Sequence, residues 1–127
     1  MHEPADHPAV PPYPLVADAR AMLAFLAATF GVQEICRKTR EDGSVTHAEV
    51  RIEDSLVMIG ERTGLAAASP CGSTHVYVPD VDACHAGGLA AGAQRASPLT
   101  DQPYGDRTAG PRDAEGSLWW IGTHRGA

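Results

Sequence analysis

No stretch of this 127-residue sequence is apolar for long enough to cross a membrane, and no two cysteines stand in a CxxC pair. The opening MHEPADHPAVPP carries acids and prolines where a secretory leader needs a positive start and an apolar run. These absences lead us to expect a soluble, cytoplasmic protein. Its three cysteines, Cys36, Cys71 and Cys84, lie far apart and read as reduced thiols rather than a disulfide framework or a zinc knuckle. Basic charge is also short: 10 Lys and Arg against 16 Asp and Glu leave a formal net charge of -6, and the cations form no stripe. Such a chain repels phosphate backbones, so no nucleic-acid partner is expected. Aromatic residues make up only 6%, yet the two tryptophans stand side by side in EGSLWWIG.

What is present is a 43% hydrophobic content, enough for one compact domain with a buried core. Residues 1–10 read as a flexible tail and residues 11–124 as the domain. An internal repeat organises that domain, with an offset of 62 carrying Val16 onto Val78, Asp18 onto Asp80, Glu53 onto Glu115, Leu56 onto Leu118 and Gly60 onto Gly122. Gly31 and Gln33 meet Gly92 and Gln94 at 61, a slip of one residue in the turn after the helix. Each module, 11–61 and 73–122, reads as strand, helix and three strands.

In the first module YPLVA is extended, Asp18 caps a helix over ARAMLAFLAATF, and Gly31 ends it. VQEICRK, VTHAEVRI and SLVMIG then alternate or are β-branched, with EDGS as a hairpin turn. The second module runs THVYV, a helix over VDACHAGGLAA entered at Asp80 and stopped by Gly92, then strands near AQRAS, YGDRTAGPR and SLWWIG. Gly87 and Gly88 each weaken that helix by about 1 kcal/mol, so close packing against a neighbour is the expected reason for them. The fold class is α+β: two βαβββ modules in tandem forming a curved mixed sheet with a concave cup, helices on the convex side.

Side-chain alternation assigns the faces. Ala48, Val50, Ile52, Val57, Ile59, Val76, Val78, Trp119 and Ile121 form the apolar parity and belong to the core. The other parity collects His47, Glu49 and Arg51, then Leu56, Met58 and Gly60, then Ser73, His75 and Tyr77, then Leu118, Trp120 and Gly122. Polar groups interleaved with large rings suit a small-molecule site, the rings for stacking and the polar groups for orientation. A solvated sheet face explains the charged HAEVR strand equally well, but an isolated exposed tryptophan is uncommon.

The doubled arrangement, with VADARAMLAFLAATFG, HVYVPDVDACHAGGLAAGA and YGDRTAGPRDAEGSLWWIGTH, resembles the vicinal oxygen chelate superfamily. That group contains glyoxalases, extradiol dioxygenases, fosfomycin-resistance enzymes and bleomycin-binding proteins. The nearest likeness is to its short bacterial glyoxalase-like members. In its enzymes, the resemblance implies, a divalent metal sits in the cup on ligands from the first and last strands of each module. The matching positions here are Pro11, Met58, Ser73 and Trp120, none of them a strong donor for a hard or borderline cation. The resemblance therefore implies a metal-independent binding protein, without cofactor or catalytic residues, that holds an aromatic or cationic ligand for resistance or sequestration. Its lining would be Tyr13, His47, Glu49, Met58, His75, Tyr77, Tyr104 and Trp120, and it would form a homodimer.

Two other readings stay open. His47, Glu49 and His75 share the cup parity and could form a displaced metal or acid-base site of a lyase, isomerase or dioxygenase. A purely structural role would use sheet edges to pair two chains. The segment LTDQPYGDR either closes one side of the cup with Tyr104 against the ligand, or is a bent strand start in which Asp106 and Arg107 form a local ion pair.

Overall fold

The computed structural model describes residues 11–61 and 72–126, so the expected tail and Cys71 lie outside the described residues. Ten elements follow in the order β1 (Leu15–Val16), α1 (Ala19–Phe30), β2 (Gln33–Thr39), β3 (Val45–Ile52), β4 (Ser55–Glu61), β5 (Ser73–Tyr77), α2 (Val81–Ala90), β6 (Gln94–Asp101), β7 (Asp106–Arg112) and β8 (Leu118–His124). The strands form two four-stranded mixed sheets, ordered β1-β4-β3-β2 and β5-β8-β7-β6. β1 is shorter than its extended reading because only Leu15 and Val16 stand in ladder register with β4, parallel, at Gly60 and Glu61; the Pro12 and Pro14 carbonyls accept from the Met58 and Gly60 N–H groups, but proline has no N–H to return.

The repeat expected from the offset recurs in the backbone pairing. Leu15 pairs with Gly60 in the first sheet as Tyr77 pairs with Gly122 in the second, each position displaced by 62. It recurs again at the helix starts. Asp18 Oδ1 accepts from the Ala21 N–H at 3.2 Å, and Asp80 Oδ1 from the Ala83 N–H at 3.1 Å. Glu61 Oε2 accepts from the Ala19 N–H and Thr123 Oγ1 from the Val81 N–H, at 3.3 and 2.9 Å. Each helix therefore has two of its first N–H groups satisfied by side chains at matching places. Gly31 and Gly92 follow the helices with φ of +62° and +101°, where a Cβ would be strained.

Two compact units emerge, and they do not follow the repeat boundary. One holds the described residues up to Leu23 and from Val32 to Glu61; the other holds Ala24–Gly31 and everything described from Gly72 onward. In the first unit Ala48, Val50, Ile52, Val57 and Ile59 are buried, as alternation requires, and Val16, Ala19 and Leu23 are buried too, as is Val45 although it shares the parity of His47. Leu56 departs from its expected place on the polar face and is 2% exposed.

In the second unit Val78, Val81, Ala109 and Ile121 make a core against which Phe30, Val76, Cys84 and Leu99 pack. Trp119, 3% exposed, lies between Phe25 and Phe30 of α1 at ring-centroid distances of 6.0 and 5.8 Å. Its indole N–H donates to Asp113 Oδ2 at 2.8 Å, while Asp113 Oδ1 accepts from the Glu115 and Ser117 N–H groups. One carboxylate thus shapes the β7–β8 turn and satisfies the buried indole. Close helix packing explains the glycine pair: a Cβ on Gly87 would stand 2.2 Å from the Ala28 carbonyl oxygen, and one on Gly88 3.0 Å from Thr29 Oγ1.

Candidate functional site

The outward parity of the first unit carries four of the expected residues. β3 and β4 run antiparallel with His47 opposite Gly60, Glu49 opposite Met58 and Arg51 opposite Leu56. Two residues apart on one strand, His47 and Glu49 point the same way, and their side chains meet at 3.1 Å between Nε2 and Oε2. The Tyr13 ring stands edge-on to His47 with centroids 5.8 Å apart. It reaches there across Gly60, where a Cβ would lie 2.7 Å from the Tyr13 hydroxyl oxygen. Met58 is half-buried beside them.

The second unit presents the other four on β5, β8 and the turn before β7. Parallel pairing sets His75 opposite Trp120 and Tyr77 opposite Gly122. The His75 and Tyr77 rings tilt together at 4.6 Å between centroids. Glycines again make the room: a Cβ on Gly122 would touch His75 Cε1 at 3.4 Å, and one on Gly110 would crowd Trp120 Cε3 at 3.3 Å. Trp120 is half-buried, while Tyr77 and Tyr104 rank among the exposed large side chains. Tyr104 sits on the β6–β7 turn, near enough to Tyr77 to influence its phenol.

Beyond these lie two residues missing from the expected lining. The Tyr77 hydroxyl donates to Asp106 Oδ2 at 3.0 Å, and Asp106 Oδ1 meets His124 Nδ1 at 2.7 Å. Asp106 is 5% exposed, whereas the His124 side chain is 63% exposed. The His124 bond, reinforced by the one from Tyr77, holds the Asp106 carboxyl below the usual carboxylate range against the opposing effect of burial. The same Tyr77–Asp106 bond pushes the Tyr77 phenol up, so it keeps its proton. This corrects the local ion pair read for Asp106 and Arg107. Neighbours on a strand face opposite ways, and Arg107 instead reaches Asp82 at 2.8 Å and Asp101 at 3.1 Å.

At the positions where the resemblance implies metal ligands, Pro11 has no side-chain donor atom, Met58 offers a thioether, Ser73 a hydroxyl and Trp120 an indole N–H. This set does not fit a divalent cation of the glyoxalase type. Among the described residues no three His, Cys, Asp or Glu side chains gather as a ligand group. Among the described residues Cys36 and Cys84 are not joined in a disulfide. No helix among the described residues is long and apolar enough to cross a membrane.

No protein-family model matches the sequence. An uncharacterized protein of Mycobacterium bovis, Mb0911c, is 34% identical over 125 residues, covering 91% of this chain and 82% of its own length. Among solved structures, TioX from Micromonospora sp. ML1 superposes with a TM-score of 0.75 at 27% identity, covering 94% of this chain and 98% of its own. A fosfomycin resistance protein, FosX, from Listeria monocytogenes, complexed with Mn(II) and 1S,2S-dihydroxypropylphosphonic acid, reaches a TM-score of 0.63 at 21% identity, over 100% of this chain and 93% of its own. The chain shares a family with the mycobacterial protein, and its fold is the one found in a member of the glyoxalase/bleomycin resistance protein/dioxygenase superfamily from Sphaerobacter thermophilus.

Proposed function

We propose that this chain is a cytoplasmic, homodimeric binding protein of the glyoxalase/bleomycin resistance type, which holds an aromatic or cationic small molecule without a metal for resistance or sequestration. The observation that carries the reading is the outward face of the second sheet. There Trp120, His75 and Tyr77 offer ring surfaces above Gly110 and Gly122, positions that contribute no side chain of their own. Flat rings over a bare floor suit stacking of a planar ligand. The weak donors at Pro11, Met58, Ser73 and Trp120 support binding without chelation.

The test is tryptophan fluorescence during titration with planar aromatic and cationic compounds. A binder should quench the wild type and not Trp120→Ala. Quenching that survives in Trp120→Ala, or none with any compound, refutes the reading. A second reading, an enzyme with a displaced site around His47, Glu49 and His75, is favoured by the His47–Glu49 contact, which orients the imidazole as an acid-base group would need. Stoichiometric metal in protein purified without chelator, lost in His47→Ala, would replace the first reading with this one.

A further inference from the structure

We infer that Asp106, His124 and Tyr77 form a hydrogen-bond-accepting subsite on the same face, and that the ligand is a planar aromatic bearing a hydroxyl or N–H donor. This deepens the stacking proposal above and rests on it. Tyr77 on β5, Asp106 on β7 and His124 on β8 share one side of the sheet with Trp120, because each lies an even number of residues from a member of that face, and Asp106 pairs directly with His124. The face therefore has a stacking end and a polar end. His124 lies four positions beyond Trp120 on β8, about 13 Å at roughly 3.3 Å per residue, a span suited to an extended fused-ring system.

The hydrogen-bond inventory gives the polar end its chemistry. An ionised carboxylate only accepts, so the 2.7 Å contact makes His124 Nδ1 the protonated nitrogen and leaves Nε2 as a lone-pair acceptor in the neutral ring. Tyr77 has its proton committed to Asp106, so its oxygen also presents lone pairs. Asp106 itself is spent, with one partner on each oxygen, and is buried away from a ligand. With the His124 ring neutral, what remains toward solvent are acceptors held in place from below, and their complement is a donor. A bare ring would gain nothing here, and a ring ether would set oxygen against a nitrogen lone pair.

Equilibrium dialysis of the full chain with 2-hydroxyfluorene and 2-methoxyfluorene tests this. The hydroxyl compound should bind about tenfold more tightly to the wild type, the ratio expected of one hydrogen bond. The double variant His124→Phe/Tyr77→Phe, at two exposed positions and checked for folding by circular dichroism, should bind both compounds alike. Imidazole nitrogen NMR should show His124 protonated on Nδ1 and its Nε2 resonance moving only with the hydroxyl compound. Equal binding of both compounds by the wild type overturns the subsite while stacking on Trp120 stands. A hydroxyl preference that persists in the double variant also overturns it, since the donor is then read elsewhere. Binding of neither compound overturns the subsite together with the stacking reading.

Discussion

Replacing Gly87 with alanine sets two opposed effects against each other. On an exposed helix the change stabilises by about 1 kcal/mol, because alanine restricts the unfolded backbone. Here the added carbon would stand 2.2 Å from the Ala28 carbonyl oxygen, which belongs to a backbone that cannot turn aside. Restoring ordinary contact requires α2 to withdraw from α1 by about 1 Å, enough to forfeit a quarter to a half of the dispersion energy along that seam. Overpacking of this kind typically costs about 1–3 kcal/mol net of relaxation, and with repulsion from main chain we expect Gly87→Ala to lose about 2 kcal/mol. Gly88→Ala is the internal control. Its carbon would lie 3.0 Å from Thr29 Oγ1, a side-chain atom, so the helix-propensity gain should offset most of the crowding and leave stability within about 0.5 kcal/mol of wild type. Urea denaturation at pH 7 measures both as shifts in midpoint at constant slope. A Gly87→Ala protein more stable than wild type, or a Gly88→Ala protein that falls equally far, would refute the packing argument.

His85 should make stability depend on pH. It is 4% exposed with Nδ1 lacking a hydrogen-bond partner among the described residues, and burial, then the nearby Arg95 charge, lower its pKa against the weaker pull of Asp82. The unfolded imidazole then takes up a proton first, so this contribution is complete above about pH 6.5 and is lost as pH falls through the lower folded value. Urea midpoints between pH 7 and 5 should drop less steeply for His85→Leu, and parallel slopes would contradict the assignment. Thr123→Val removes both the bond capping the Val81 N–H and the one donated to the Val78 carbonyl, for an expected loss of about 1–2 kcal/mol in the same assay. Trp119→Phe deprives Asp113 Oδ2 of its indole partner and opens a gap against Phe25 and Phe30; we expect a loss of about 2–4 kcal/mol, and a thermal midpoint within a degree of wild type would count against that role.

Much of the architecture was legible in the residues. The helix over Ala19–Phe30, the glycines that end both helices and the repeat at 62 follow from periodicity and turn chemistry, which are local properties. Alternation separated Trp119 from Trp120 for the same reason, since a strand offers only two directions. Leu56 escaped that logic: its parity is the outward one, yet it is buried, and parity says nothing about what covers a face. His124 was missed for a different reason. Carrying the Trp120 and Gly122 parity two residues further along β8 would have reached it, but the strand reading stopped at Gly122. Asp106 could not be found locally, because its partners lie 29 and 18 residues away and only the assembled sheet brings them together.

The two helix starts solve one problem with different chemistry. Glu61 caps α1 as a carboxylate that is also held by Arg40 at 2.8 Å, whereas Thr123 caps α2 as a neutral hydroxyl. Dissolved ions weaken charge-based contacts at a partly exposed site and leave a neutral hydroxyl nearly untouched. Ionic strength thereby becomes a selective handle, loosening the entry to one copy of the duplicated motif while its sibling holds firm.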